Sequence, residues 1–305
     1  MEIKTIKQFV MQLEAMIKFM NRFIEQENIL LPPPENDTER LRELTELRLL
    51  AKSDAWPQAI EQELIVNNNE DEKIHRAASV LKTLVSTNLQ EKKILDVGCG
   101  EGHIAFIASN LFTENLVVGY DIENDNWDHF EKPENLVLTK LWSEVENNAP
   151  YEVIIINDVI DHTKEFEKTL EKIIKVKDKE FGKIYIRCHP WTSRHGCHTH
   201  HDMNKAFLHL VFSEDELYGM GVQPIPTYPL LDPLESYRKM FKSFGLSIIK
   251  ENVIRKDVEM FFIHNPHILR RIKDKFKNSN NPDYASGEHF PRNIIEIEYI
   301  DFTLM

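Results

Sequence analysis

The sequence predicts an α/β fold: a doubly wound, mostly parallel sheet with an all-helical extension before it and an added strand after it. Three observations carry this. From Lys93 onward, apolar runs of strand length alternate with segments of helical period, the pattern of βαβ units. At Ile94-Leu95-Asp96-Val97 a strand runs straight into Gly98-Cys99-Gly100-Glu101-Gly102, and a helical pattern follows through Ile104, Ala105, Ile107 and Ala108. Strand, glycine turn and helix together make a nucleotide cradle, because glycine permits positive φ and a helix start offers unpaired N–H donors. Before residue 90, by contrast, only the helical period is present.

The elements can be taken in order. Residues 1–30 read as a helix, with Ile3, Ile6, Val10, Leu13, Ile17, Met20 and Ile24 in steps of three and four. That stripe suits packing against the sheet domain, a homodimer seam, or a partner-binding helix. Leu31-Pro32-Pro33-Pro34 ends it. A second helix begins at Asp37 or Thr38, Trp56-Pro57 marks a turn, and helical patterns resume over 58–66 and 71–88. Residues 1–90 thus form the helical extension. Strands are expected at 93–98, 116–121, 136–139, 151–157 and 183–188, with a helix over 164–176. The run Tyr151–Ile156 is continuously apolar, as in a strand buried on both faces. A helix over 233–244 opens on an Asp232 cap with Pro233 first and Glu235 completing a capping box, and Gly245 closes it. Strands are expected at 246–254 and 258–264, which closes a domain over 91–265. In the remaining 266–305, residues 267–277 read as a helix and 278–283 as a loop, and the alternation at Ile295, Ile297 and Tyr299 reads as an added edge strand packed on the core.

Composition sets bounds. The chain has 305 residues and a net charge of −13, which argues against a broad phosphate-binding surface and makes a nucleic-acid partner unlikely on charge alone. No apolar run approaches membrane-spanning length, and the first residues lack the apolar core of a signal peptide. Cys99, Cys188 and Cys197 do not make a disulfide framework, so a reducing, cytoplasmic compartment is expected.

The spacing of the glycines narrows the ligand. They read G-x-G-x-G, and His103 stands where a dinucleotide site wants its third glycine. Asp96 precedes them; its carboxylate would repel a pyrophosphate and suits a ligand with an amino group. An apolar run, Leu116-Val117-Val118-Gly119-Tyr120, ends in Asp121, placed to accept ribose hydroxyls. The stretch Asp96–Gly102 resembles motif I of the class I S-adenosylmethionine-dependent methyltransferases, a resemblance that extends from Lys92 to Ile263 and weakens after Asp121. It implies a seven-stranded sheet closed by an antiparallel hairpin, and S-adenosylmethionine as methyl donor. It implies donor contacts from Asp96, Gly98, Cys99, Gly100, Asp121, Ile122, Asn157 and Asp158. It also implies that Asn157-Asp158-Val159-Ile160-Asp161-His162 faces the donor methyl group and the acceptor, which makes His162 a catalytic candidate, or else a histidine that caps a helix start.

The segment Arg187–His201 packs five histidines, two cysteines, two arginines and a tryptophan into fifteen residues at the carboxyl end of the sheet. It opens an acceptor-binding insertion over 188–231, or a lid, with helical patterns at 203–212 and 214–220 and a Ser213/Glu216 capping box. His189 and His195 are candidate bases, Arg187 and Arg194 candidate clamps for an anionic group, and Trp191 a stacking surface. A zinc site from Cys188, Cys197 and His198 is the alternative, although Cys-x8-Cys is not a standard spacing. Scattered hydrogen-bonding loop histidines are the third reading.

The signature of amino-methylating DNA enzymes is missing, since that place reads Asn157-Asp158-Val159-Ile160, and so is the Pro-Cys nucleophile of cytosine C5 enzymes. The resulting expectation is transfer of a methyl group to oxygen or nitrogen of a small or medium polar acceptor, a small molecule or a sugar-like one. The alternatives are a non-catalytic subunit that assembles through its N-terminal helices, and an RNA or protein methyltransferase.

Overall fold

A computed structural model of the protein describes residues 34–61, 69–85, 88–123, 127–128, 131–225, 233–277 and 295–305. The expected helix over 1–30, most of that over 58–66, the Asp232 cap and the 278–283 loop lie outside the described residues.

The extension contributes two helices, α1 (Asp37–Ala51) and α2 (Glu70–Leu84). Both start where an asparagine side chain, Asn36 or Asn69, accepts the backbone N–H three residues on, and both carry acids in the first turn. Residues 58–61 are not helical. From there the chain runs β1 (Lys93–Val97), α3 (His103–Leu111), β2 (Leu116–Tyr120), β3 (Leu136–Thr139), α4 (Trp142–Asn147), β4 (Val153–Asn157), α5 (Phe166–Val176) and β5 (Lys183–Cys188). The insertion holds two short helices, α6 (Leu208–Val211) and α7 (Glu214–Tyr218), and both bonds of the Ser213/Glu216 capping box are present. Then come α8 (Pro233–Ser243), β6 (Ile248–Arg255), α9 (Glu259–His264), α10 (Pro266–Lys277) and β7 (Ile297–Leu304).

The seven strands form one sheet in the order β3-β2-β1-β4-β5-β7-β6. β1 lies in its middle, with Leu95 level with Val118 of β2 on one side and with Ile154 of β4 on the other, both parallel. Alternate residues of each strand face opposite layers. Leu95, Ile154, Ile156, Ile184 and Phe302 pack towards α5 and α8, while Ile94, Val117, Val153, Ile155 and Tyr185 pack towards α2 and α3.

Two expectations are corrected. Residues 258–264 are helical rather than a strand, because Val258 and Phe262 are buried while Met260 between them is 47% exposed, a four-residue spacing that no strand produces. The last strand, expected at the edge, instead lies between β5 and β6 and runs antiparallel to both. Its Ile300, Phe302 and Leu304 are fully buried, which a strand paired on both sides requires. The sheet therefore draws on residues the sequence assigns to the C-terminal extension.

A second core lies away from the sheet. Leu47, Ala51 and Trp56 meet Phe207, Leu208 and Phe212 of the insertion and Phe262, Ile268 and Ile272 of α9 and α10. Trp56 donates its indole N–H to Ala206 O at 2.7 Å, and the side chain of Asn204 bonds both N–H and C=O of Ile60. The described part of the insertion is thus a packed unit and not a lid: a lid must uncover apolar surface to open, and this one would expose a core.

Candidate functional site

The glycine turn is shaped by its contacts. The N–H groups of Gly98 and Cys99 both donate to Tyr120 O, at 2.7 and 3.0 Å, which ties the turn to the end of β2. Gly100 N–H donates to Asp121 Oδ2 at 2.9 Å, and the indole N–H of Trp127 donates to Gly100 O at 2.9 Å. Two glycines answer different demands. Gly98 (φ +70°) lies against Val159, where a Cβ would stand 2.4 Å from Cγ2. Gly100 (φ +53°) has nothing within 4 Å of that position, so its surface is open.

Asp96 is buried beneath the turn, its carboxylate taking the Ala105 N–H at the start of α3 while Oδ2 has no hydrogen-bond partner. Burial pushes its pKa up to about 7, against the Ala105 bond and helped by the nearby Asp121 charge. Asp121 holds the turn with one oxygen and accepts the Glu123 N–H with the other. Cys99 packs behind the turn, and burial together with the two acids pushes its thiol far up, so it is no nucleophile. Ile122 is 71% exposed.

Beside the turn opens a crevice of about 560 Å³, within the range of small-ligand sites. Its floor comes from the carboxyl ends of the sheet: Cys99 and Glu101 after β1, Asn157 and Asp158 after β4, Arg187 and His189 at the end of β5. Its opposite wall is α2, through Lys73, Arg76 and Ala77. α2 is clasped to the start of α3 by Lys73–Glu101 at 2.6 Å and by His103–Glu70 at 2.7 Å.

His189 is the histidine that reaches this crevice from the candidate segment. Its Nδ1 lies 3.0 Å from Glu298 O, and a carbonyl can only accept, so Nδ1 is the donor of that contact and Nε2 is the nitrogen turned to the crevice side. Asp158 Oδ1 stands 3.4 Å from Nε2, on a residue held at φ +55°. His195 Nε2 is 2.7 Å from His189 Nδ1 and shares its proton. His195 is itself buried, and burial, aided by the neighbouring histidines, depresses its pKa well below the usual value, so it stands neutral behind His189 rather than in the crevice. His162 lies outside the crevice lining, with Nε2 at 3.3 Å from Asp161 and 3.0 Å from His198 Nε2.

The expected clamps have other partners. Arg187 lines the crevice, but its guanidinium grips Asp301 with two bonds of 2.7 and 2.8 Å and lies over the Tyr299 ring. Arg194 is largely buried, 3.4 Å from Glu298. Trp191 donates to Cys197 Sγ and packs edge-on against His209 and Phe276, so its faces belong to the second core. Cys188 contacts Ile300 O. Among the described residues, neither Cys188 nor Cys197 falls in a group of side chains able to close on one ion; His198 does, with Asp161 and His162 or with His200 and His201.

Two contributors escape the sequence reading. The cations of α2 look there like an exposed helix face, and only the proximity of α2 to β1 hints at more. Glu298, Tyr299 and Asp301 belong to a strand whose place in the sheet no local pattern reveals.

A family model described as a methyltransferase domain matches residues 69–251. Searched against curated proteins, the chain finds no match. Similar solved structures include coclaurine N-methyltransferase bound to N-methylheliamine and SAH (14% identity, 96% of this chain and 95% of that chain, TM-score 0.43). Another is magnesium protoporphyrin IX methyltransferase from Synechocystis PCC 6803 with bound SAH (17% identity, 70% of this chain and 94% of that chain, TM-score 0.42). A third is a plantazolicin methyltransferase in complex with a monoazolic desmethyl analogue and SAH (13% identity, 88% and 97%, TM-score 0.40).

Proposed function

We propose, from the premise that this chain belongs to the methyltransferase-domain family, that it moves a methyl group from S-adenosylmethionine to an oxygen or nitrogen of a small or medium polar acceptor. The donor fits what the turn offers. The open space over Gly100 admits a ligand close to the backbone. The buried Asp96 carboxyl, with Oδ2 unpartnered and its pKa raised to about 7, takes its charge most readily beside a cation, which suits a ligand with an amino group and disfavours a pyrophosphate. Asp121, at the end of β2, keeps acceptor capacity for ribose hydroxyls. Bound there, S-adenosylmethionine supplies an electrophilic methyl group on a sulfonium.

The remaining chemistry is this chain's own. Methyl transfer is an in-line displacement, so holding the acceptor in the crevice supplies much of the rate. An oxygen or nitrogen acceptor gives up a proton as the new bond forms. His189 Nε2 takes it, and the Asp158 carboxylate stabilises the imidazolium that results. Glu298 O and His195 hold the ring in the tautomer this needs and are positioning groups. Net charge and the packed insertion favour a discrete molecule over nucleic acid as acceptor.

The observation that carries this reading is the convergence on one crevice of the glycine turn and a histidine whose Nε2 faces a carboxylate. Isothermal calorimetry with S-adenosylhomocysteine should show micromolar binding, and a labelled-donor screen of polar metabolites should then find the acceptor. His189→Ala should abolish transfer and leave donor affinity within about twofold, since the His189 ring is not part of the turn. Absence of donor binding refutes the enzyme reading and leaves the non-catalytic subunit.

A further inference from the structure

We propose that Asp161, His162 and His198 form a binding site for a divalent transition-metal ion of the zinc class, beside the donor crevice and distinct from it. The three come from two parts of the chain: Asp161 and His162 from the single turn after β4, His198 from the insertion. Their donor atoms all lie within 4.8 Å of one another. His162 Nε2 is 3.3 Å from Asp161 Oδ2 and 3.0 Å from His198 Nε2. A tetrahedral ion with bonds of about 2.0–2.1 Å sets its ligand atoms roughly 3.3 Å apart, so both separations at His162 Nε2 are close to the length of a coordination edge.

Hydrogen bonding alone serves the cluster poorly. His162 Nε2 carries at most one proton, and it faces both a carboxylate oxygen and a second imidazole nitrogen. One proton there can at best be divided between the two, leaving each a weak three-centre contact. One cation satisfies all three at once.

The carboxylate gives a second, independent sign. Asp161 is only 6% exposed, yet its Oδ1 has no hydrogen-bond partner. A buried carboxylate so weakly held is costly unless paired or bound to a metal. The backbone serves the same end: Cys197 and His198 adopt φ +57° and +50° in succession, which brings the His198 ring over His162 with centroids 4.8 Å apart.

The donor set selects the ion. Two imidazoles and one carboxylate suit zinc, cobalt, nickel or ferrous iron, whereas magnesium and calcium want oxygen ligands throughout. Three protein ligands leave one coordination position open. His200 and His201 form a second group of three with His198, but they bring no carboxylate, which favours the first set.

This site stands whether or not the crevice binds a methyl donor, and its test reads the metal directly. Co(II) alone should be titrated into the chelator-stripped full-length chain, followed by visible d–d absorption and by calorimetry. One equivalent should bind at micromolar or tighter affinity and be displaced by zinc but not by magnesium. His162→Ala and His198→Ala should each weaken binding by more than roughly 100-fold, beyond the loss that removal of a mere supporting group causes. His75→Ala, on the exposed face of α2, should bind as the parent does. If an alanine variant fails to fold by circular dichroism, His162→Gln, at a side chain 35% exposed, carries the same expectation. Absence of one-to-one Co(II) binding by the parent, or undiminished affinity in the His162 and His198 variants, overturns the assignment.

Discussion

A methyl group added at Gly98 and one added at Gly100 should have opposite kinds of consequence. Both residues have positive φ, so alanine at either costs about 1–2 kcal/mol in backbone strain. At Gly98 the new Cβ would also stand 2.4 Å from Val159 Cγ2. Valine has one torsion with which to yield, and overpacking of this kind adds about 1–3 kcal/mol. Gly98→Ala should therefore cost about 2–5 kcal/mol, a large share of the roughly 5–15 kcal/mol that holds a domain together. At Gly100 the methyl meets nothing in the protein, so stability falls only by the backbone cost, while the added group projects into the space offered to the donor. Urea denaturation should rank Gly98→Ala well below Gly100→Ala, and donor calorimetry on the folded variants should show Gly100→Ala impaired. Val159→Ala in the Gly98→Ala background should recover the clash but not the φ cost, a coupling of about 1–3 kcal/mol in the double-mutant cycle. A Gly98→Ala protein within about 0.5 kcal/mol of the parent, or equal losses at the two glycines, refutes the division of roles.

Three further outcomes follow from the same structure. Asp96 holds its proton more tightly in the fold (pKa about 7) than in the unfolded chain (3.8), so the stability it contributes is full below pH 4 and is lost as pH rises towards 7; Asp96→Asn should flatten the fall in Tm across that window, and an unchanged slope contradicts the burial argument. Asp301→Asn strands the Arg187 guanidinium, only 13% exposed, and should cost about 3–5 kcal/mol by urea denaturation, most of it recovered when Arg187→Met is combined with Asp301→Leu; a loss under about 1 kcal/mol argues that water reaches the pair. Trp56→Ala removes a side chain 1% exposed together with its bond to Ala206, and should cost about 3–5 kcal/mol and speed hydrogen exchange at 206–212; unchanged exchange there means the insertion does not rely on α1.

What the sequence reveals is what local periodicity encodes. The five parallel strands are apolar runs between glycine turns and helices, and the Asp96–Gly102 turn needs glycines at fixed spacing, so both are readable from consecutive residues. The 258–264 helix is not, because Val-Glu-Met-Phe-Phe-Ile-His has no clean period and its burial is decided by the Trp56 core some 200 residues away in sequence. The order of β7 in the sheet is equally invisible, since alternation at Ile297 and Tyr299 shows a strand but not its neighbours. Among site residues, a histidine-rich segment can be seen, but which histidine reaches the crevice depends on β7: Glu298 O turns His189, and His195 is buried behind it. Arg187 reads as a clamp until Asp301, 114 residues on, occupies it.

The position of β7 has a consequence for how the protein comes to be. Of the described strands it is made last, yet it fills the gap between two made earlier, so β5 carries a bare edge until it arrives. During that interval the nascent chain exposes an aggregation-prone margin, and chaperone occupancy should fall only when β7 emerges. The same event sets Glu298 O against His189 Nδ1 and Asp301 against Arg187, so the ring orientation on which the proposed base depends is conferred by sheet closure and by no earlier stage. A partly folded chain would have its glycine turn and an unanchored His189 ring.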